Sequence, residues 1–218
     1  MALTLESLDA LAGWLHGSRV LSLGYPDIVV PAPEVERLLG IKVTELTQFG
    51  RWHGVDFPLP ETLSVFRAIG ATLQCVDIHP SRGVEQVVDL NLPCELGSYD
   101  VVIDAGTVEH CFNIGQAIMN AAGAVAAGGC ILHSPPLSMP NHGFYNLNPT
   151  LLHDFYSQNG WEIELLSGVG KAGRFEVPAT ARFAAPAEAS LLFLASRPEL
   201  RPLAYPVQSK YLNNPGLA

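Results

Sequence analysis

The sequence has no long apolar run, no cluster of basic residues and no closely spaced pair of cysteines. No apolar stretch approaches the roughly 18 residues that a membrane helix needs, and the first seventeen residues lack the basic start and apolar middle of a signal peptide. The formal net charge of -9 argues against a surface for nucleic acid, because such surfaces are usually basic. We therefore expect a cytoplasmic protein that binds neither membranes nor nucleic acids.

The four cysteines, Cys75, Cys94, Cys111 and Cys130, are far apart and form no CxxC motif. A chain of 218 residues can bury a sizeable core without disulfides or structural metals. We predict free thiols, most of them buried.

What the sequence does contain is a series of short apolar runs rich in β-branched residues, separated by segments that can form helices. Such alternation is typical of an α/β fold with a parallel sheet. We predict a single doubly wound, mostly parallel, seven-stranded sheet with helices on both faces. The predicted strands are residues 19–24, 71–78, 85–90, 99–104, 129–134, 161–168 and 190–196.

Three helices are predicted from apolar spacing and end signals. Residues 113–129 carry apolar side chains at intervals of three and four, including Val125, and the helix should end at Gly128 and Gly129. Residues 148–160 offer Asn148 as N-cap followed by a proline, and Asn159-Gly160 as the stop. The first seventeen residues should form another short helix.

Two proline-rich regions interrupt this pattern. Residues 25–70 should form helices and loops, as an enlarged first crossover of a domain that spans residues 1–197. Residues 198–218 should form an extended tail that lies on its own subunit or on a neighbour, so that a homodimer through the tail is one of the alternatives.

Polar residues follow four successive apolar runs, namely Asp77, Asp89, Asp104 and His133. Ligands of parallel α/β sheets bind at the carboxyl ends of the strands. An acid after the second strand is typical of a site for both hydroxyls of a ribose, and Asp89 could accept from the exocyclic amine of an adenine. A helix cap or a turn is the alternative interpretation of each residue.

Residues 99–136, "YDVVIDAGTVEHCFNIGQAIMNAAGAVAAGGCILHSPP", resemble the central block of the class I S-adenosylmethionine-dependent methyltransferases. The resemblance extends over residues 19–196 and implies S-adenosylmethionine as cofactor. The cofactor-binding residues that it implies are Gly24, Tyr25, Asp27, Asp77, Ile78, Asp89, Leu90, Asp104, Ala105, Gly106 and Thr107.

The first loop, "SLGYPD", departs from that family, which usually has an acid two residues before the first glycine and further glycines after it. Here Ser22 takes the place of the acid and only Gly24 remains, followed by Tyr25 and Pro26. Either Asp27 or another residue replaces the missing acid, or the cofactor sits differently, or binding is lost. We favour altered but retained binding.

Methyl transfer to a hydroxyl needs an aligned nucleophile and a base. We predict His142 as the base, with His133 and His110 as further candidates, and Glu109, Asn141 and Tyr145 as substrate-binding residues. The same histidines with Glu109 and Asp104 could hold a divalent metal, but they show no close ligand pair, and we predict none.

The segment "HGFYNLNPTLLHDFY" resembles a variant of these enzymes found in bacterial glycan and secondary-metabolite gene clusters. It implies methylation of oxygen or nitrogen on a small hydroxylated metabolite or sugar. Phe49, Trp52, His53 and Phe57 could form a lid over this substrate or simply pack the crossover onto the domain. The alternatives are a binding or scaffold protein of the same fold that no longer methylates, and a lyase or cyclase.

Overall fold

The computed structural model of the chain describes residues 1–214, apart from the side chains of Phe49, Trp52 and Asn213. The helices are α1 (Leu5–Leu15), α2 (Ala32–Leu39), α3 (Thr62–Ala68), α4 (Ile114–Gly123), α5 (Pro149–Gln158) and α6 (Ser209–Asn213), with short 3₁₀ turns at Phe49–His53 and Val108–His110. The strands are β1 (Ala2–Leu3), β2 (Arg19–Leu23), β3 (Asp27–Ile28), β4 (Leu46–Thr47), β5 (Leu59–Pro60), β6 (Thr72–Asp77), β7 (Gln86–Val87), β8 (Tyr99–Asp104), β9 (Val125–His133), β10 (Glu162–Gly170), β11 (Gly173–Glu176) and β12 (Ser190–Ser196).

The central sheet contains eight strands in the order β11-β10-β12-β9-β8-β2-β6-β7. The pairs from β7 through β9 are parallel, whereas β12 pairs antiparallel with both β9 and β10, and β10 pairs antiparallel with β11. From β2 the chain adds β6 and β7 toward one edge of the sheet, and then β8 and β9 on the other side of β2. The strand order therefore reverses between β2 and β8, which is where doubly wound folds bind ligands. All seven predicted strands are present, and the α/β prediction is confirmed.

The eighth strand, β11, was not predicted. It forms an antiparallel hairpin with β10, in which Ser167 pairs with Glu176 and Gly170 pairs with Gly173. Its four residues, GRFE, include only one apolar side chain. A segment this short shows too little alternation of apolar and polar residues to indicate a strand.

Buried apolar side chains cover both faces of the sheet. On one face α1, α2 and α3 contribute Leu11, Val35 and Phe66, while on the other face α4 and α5 contribute Ile118 and Tyr156. Thr4 is the N-cap residue of α1, and its hydroxyl accepts from the amide of Ser7 at 3.4 Å. The predicted layers of helix, sheet and helix are therefore confirmed.

The predicted end of the helix at residues 113–129 was wrong. Helix α4 ends at Gly123, and Val125 is already the first residue of β9, where it pairs with Tyr99. A β-carbon on Gly129 would lie 2.6 Å from the carbonyl oxygen of Asp100, so this glycine permits close strand packing and does not end a helix. The alanine-rich sequence suits either structure, and its spacing alone could not separate them.

Helix α5 starts at Pro149 as predicted, and Asn148 is its N-cap residue, although the Asn148 side chain accepts no capping hydrogen bond. The tail packs against this helix within the same chain. The side-chain amide of Asn159 donates to the backbone carbonyl of Ala204 and accepts from the backbone amide of Ala204. The Asp154 carboxylate accepts from the backbone amide of Ser209 at 2.7 Å. Residues 215–218 lie outside the described part, and the domain division at residue 197 stays a prediction.

Residues 25–70 contain α2, α3 and loops, as expected, together with the short pair β4–β5. Strand β3 pairs in parallel with β1, which brings the first three residues against the loop after β2. Within residues 1–214 no helix is long and apolar enough to cross a membrane.

Candidate active site

A cleft with a volume of about 320 Å³ lies at the carboxyl ends of the central strands. This volume is at the lower end of the range typical of small-ligand sites. It lies beside the reversal of strand order, where the doubly wound topology predicts a ligand. The lining residues are Met1, Asp77, Ile78, Val88, Asp89, Leu90, Asn91, Gly106, Thr107, His110 and Cys111.

Asp77 and Asp89 both line this cleft, because the loops after β6 and β7 run side by side. The amide of Val88 donates to the carbonyl of Asp77 at 2.9 Å, which fixes the two loops together. Asp89 accepts from the side chain and the amide of Asn91, and these hydrogen bonds lower the pKa of the Asp89 carboxyl. Two carboxylates therefore face one cleft beside Ile78, which is 65% exposed.

Gly24 directly follows β2 and has a left-handed conformation with φ of 83°. A β-carbon here would overlap the side chain of Met1 and lie 3.3 Å from Oδ2 of Asp77. The Met1 sulfur is 2.9 Å from the hydroxyl of Thr107, which donates to the carbonyl of Leu23 at 2.6 Å. The surviving glycine thus allows close approach at the point where β2 meets the cleft, and Met1 packs against it.

The structure places Tyr25 and Asp27 outside the cleft, contrary to our expectation. Asp27 is buried, forms an ion pair with Arg82 and lies 2.9 Å from Nε2 of His53. The Tyr25 hydroxyl donates to Glu61 at 2.7 Å, and burial together with this bond raises the pKa of Tyr25. Asp27 is therefore engaged with Arg82 and His53 away from the cleft.

Asp104 and His133 are fully buried, which revises their expected roles. Asp104 accepts from the amides of Thr107 and Val108 and lies 2.6 Å from Nδ1 of His133, whose Nε2 is 2.6 Å from the hydroxyl of Tyr156. Burial and the nearby Asp104 raise the pKa of Tyr156. Asp104 shapes the turn after β8, and His133 cannot reach a substrate. Ala105 is also buried.

Glu109 is fully buried, and neither of its carboxylate oxygens has a hydrogen-bond partner among the described residues. Burial and the neighbouring Asp104 raise the pKa of Glu109 to about 8. The carbonyl of Glu109 accepts from the amide of Phe144 at 2.9 Å. This bond fastens the loop after β9 to the 3₁₀ turn that follows β8.

His110 and His142 lie beside Glu109, and about half of each side chain is exposed. Their ring centroids are 5.4 Å apart. Burial and the neighbouring His142 lower the pKa of His110. Of the three candidate bases, these two are accessible and His133 is not.

The loop that carries His142 exposes residues suited to a substrate. Asn141 has a positive φ of 64° and is exposed, and the Tyr145 hydroxyl donates to the carbonyl of Phe112 at 2.9 Å. Phe112 and Phe144, 75% and 66% exposed, pack edge to face with centroids 5.8 Å apart. This aromatic pair was missed, although both phenylalanines lie within two residues of a candidate histidine.

The residues predicted to form an aromatic lid are Phe49, Trp52, His53 and Phe57. The side chains of Phe49 and Trp52 lie outside the described part, and His53 contacts Asp27 away from the cleft. The lid stays a prediction.

Comparison with known proteins gives a likeness of fold. No protein-family model matches the chain, and no curated protein sequence does. The crystal structure of TehB from Haemophilus influenzae superposes with a TM-score of 0.53 at 13% identity, over 88% of this chain. The two chains share a fold. This chain spans 62% of the length of the TehB chain.

Two further structures are similar at lower scores. An O-methyltransferase family protein from Burkholderia thailandensis gives a TM-score of 0.41 at 15% identity, over 89% of this chain and 58% of that one. The N-terminal domain of EvdMO1, solved in the presence of SAH and D-fucose, gives 0.38 at 14%, over 88% and 82%. With TM-scores below 0.5, neither likeness supports an inference. The Rossmann-like fold implied by the methyltransferase resemblance is confirmed by strand order and by TehB.

Proposed function

We propose that the chain binds S-adenosylmethionine and transfers its methyl group to oxygen or nitrogen of a small hydroxylated molecule. The observation that carries this proposal is the pair Asp77 and Asp89, which line one cleft at the reversal of strand order beside the exposed Ile78. Acidic groups that follow successive strands in this fold suit the hydroxyls and the amine of an adenosine.

The cofactor would lie with its adenosine in this cleft. The Asp77 carboxylate would accept from both ribose hydroxyls, and Asp89 would accept from the adenine amine, while Ile78 and Leu90 would pack against the adenine ring. The methionine part would pass Gly24 and run along Gly106 and Thr107, so binding requires the Met1 side chain to move from its contact with Gly24.

The acceptor would bind between the 3₁₀ turn after β8 and the loop after β9. Asn141 and Tyr145 offer polar contacts there, and the exposed Phe112 and Phe144 suit the apolar face of a sugar or another ring. His142 or His110 would take the hydroxyl proton as the acceptor oxygen attacks the methyl carbon. The bond between that carbon and the sulfur then breaks, and its electrons stay on the sulfur.

The direct test is calorimetric titration of the protein with S-adenosylhomocysteine. We expect saturable heat with one ligand per chain. An absence of heat at millimolar ligand would exclude the proposal.

A second candidate is a protein of this fold that binds a ligand without methylating. It is favoured by the first loop, where Ser22 replaces the usual acid and Asp27 is paired with Arg82 and His53. Mass analysis of candidate acceptors separates these functions from each other and from a cyclase. Methyl transfer adds one methylene unit to the acceptor mass, whereas a binding protein leaves the acceptor unchanged and an isomerising cyclase converts it without a change in mass.

A further inference from the structure

Three potential metal ligands converge at the edge of the cleft. One ligand atom each from Glu109, His110 and His142 lies within 4.8 Å of the others. Oε1 of Glu109 is 3.6 Å from Nε2 of His142 and 3.9 Å from Nε2 of His110. We propose that these three residues bind a divalent transition-metal ion, for which zinc is the probe. This inference reverses our sequence-based prediction of no metal.

The carboxylate of Glu109 is the strongest indication. It is fully buried and neither oxygen has a hydrogen-bond partner among the described residues, a situation that is costly for a polar group and rare in native proteins. A cation between the three side chains would satisfy the carboxylate directly.

The position of Glu109 is fixed by its surroundings. A β-carbon on Gly143 would lie 2.9 Å from the Glu109 carbonyl oxygen, and one on Gly106 would lie 3.0 Å from Oε1. Both glycines therefore allow the backbone to close tightly around this side chain. Because the amide of Phe144 donates to the same carbonyl, the loop that carries His142 is held beside Glu109.

Hydrogen bonding does not explain why the histidines gather here. Separations of 3.6 Å and 3.9 Å are too long for hydrogen bonds between nitrogen and oxygen. They are, however, only slightly longer than the roughly 3.3 Å between neighbouring ligand atoms around tetrahedral zinc. Both histidine side chains are about half exposed, so they have room to rotate toward the carboxylate.

The ligand types indicate which metal fits. Two imidazoles and one carboxylate suit zinc and iron(II), whereas magnesium prefers oxygen ligands. Three protein ligands leave at least one coordination position open. His110 lines the cleft and His142 lies on the loop after β9, so a metal held here would lie between the two regions.

The role of this metal site in binding the acceptor rests on the proposed function. A ring nitrogen that binds a metal cannot accept a proton, so in the metal-bound protein an acceptor oxygen would bind the metal and release its proton to solvent. Metal binding itself requires no cofactor. A failed titration with S-adenosylhomocysteine therefore leaves the metal site standing, and a failed metal titration leaves cofactor binding standing.

The test uses the full chain, dialysed against a chelator and then titrated with zinc chloride in the absence of cofactor. We expect one zinc per chain in the wild-type protein and little binding of magnesium. The substitutions Glu109→Gln and His142→Ala should each weaken zinc binding by at least about tenfold. The control His16→Ala changes an exposed histidine at the end of α1 and should leave zinc binding unchanged.

Cobalt(II) gives a second readout, since its visible absorption reports nitrogen and oxygen ligands. The spectrum should change in His142→Ala while circular dichroism shows the variant to be folded. Zinc binding that survives in both site variants, or no binding by the wild type, would overturn the proposal.

Discussion

Asp77 is the residue whose substitution tests the cofactor site most directly. Replacing it by alanine removes a carboxylate from the cleft, and we expect S-adenosylhomocysteine to bind about 1.5 to 3 kcal/mol more weakly through the loss of charge-assisted hydrogen bonds. Calorimetry measures this change. Asp9→Ala, on the exposed side of α1, is the matched control. Equal affinities of the Asp77 variant and the wild type would remove Asp77 from the ribose role.

The buried network of Asp104, His133 and Tyr156 predicts an effect on stability. Tyr156→Phe removes the hydroxyl that contacts Nε2 of His133 and leaves this nitrogen buried without a partner. We expect the free energy of unfolding to fall by about 1 to 3 kcal/mol. Chemical denaturation measures it, and Tyr205→Phe, at a tyrosine that is 65% exposed, should have no effect. An unchanged stability would mean that the network contributes nothing.

The position of polar residues at strand ends could be predicted from the sequence, but the direction of each side chain could not. Asp77 and Asp89 face the cleft, whereas Asp104 points inward to His133. All three follow an apolar run, so their local patterns are alike. What separates them is a distant partner, Tyr156 on α5, which no local pattern reveals.

At the level of elements, the close contact between β8 and β9 predicts a specific sensitivity at Gly129. A β-carbon there would lie 2.6 Å from the Asp100 carbonyl oxygen and 3.2 Å from that of Ala126. Because the backbone atoms cannot yield easily, we expect Gly129→Ala to cost about 1 to 3 kcal/mol. Gly123→Ala is the control, since nothing lies within 4 Å of its added carbon and alanine favours helix. Thermal unfolding should therefore separate the two variants, and equal stabilities would contradict this packing.

The elements that could be predicted from the sequence are those with clear end signals. Strands with β-branched residues and clear ends were predictable, and so was α5, which Pro149 starts and Gly160 follows. Residues 121–129 are almost all alanine and glycine, whose small side chains show no periodicity strong enough to place the boundary between α4 and β9. Packing against Asp100 decides it instead.

At the scale of the whole molecule, the packing of the core predicts the reactivity of its four free thiols. Cys75, Cys111 and Cys130 are buried, and burial raises their pKa values to about 12, 11 and 12. Cys94 is partly exposed. With a disulfide reagent at pH 8, we expect Cys94 to react in the native protein and the other three only after denaturation. Cys94→Ser should then abolish the native reaction, and rapid labelling of several thiols in that variant would contradict the buried core.

Ligand binding should also stabilise the whole fold, because the proposed cofactor would contact loops after β2, β6, β7 and β8 at once. A ligand at a hundred times its dissociation constant adds about 2.7 kcal/mol if it binds only the folded state. For a chain of this size that corresponds to a rise in melting temperature of roughly 5 to 10 °C. Thermal scans with S-adenosylhomocysteine should show this rise in the wild type and a smaller one in Asp77→Ala at the same ligand concentration. Equal rises in both proteins would place the ligand outside the cleft, because a ligand that does not contact Asp77 would bind both proteins with the same affinity.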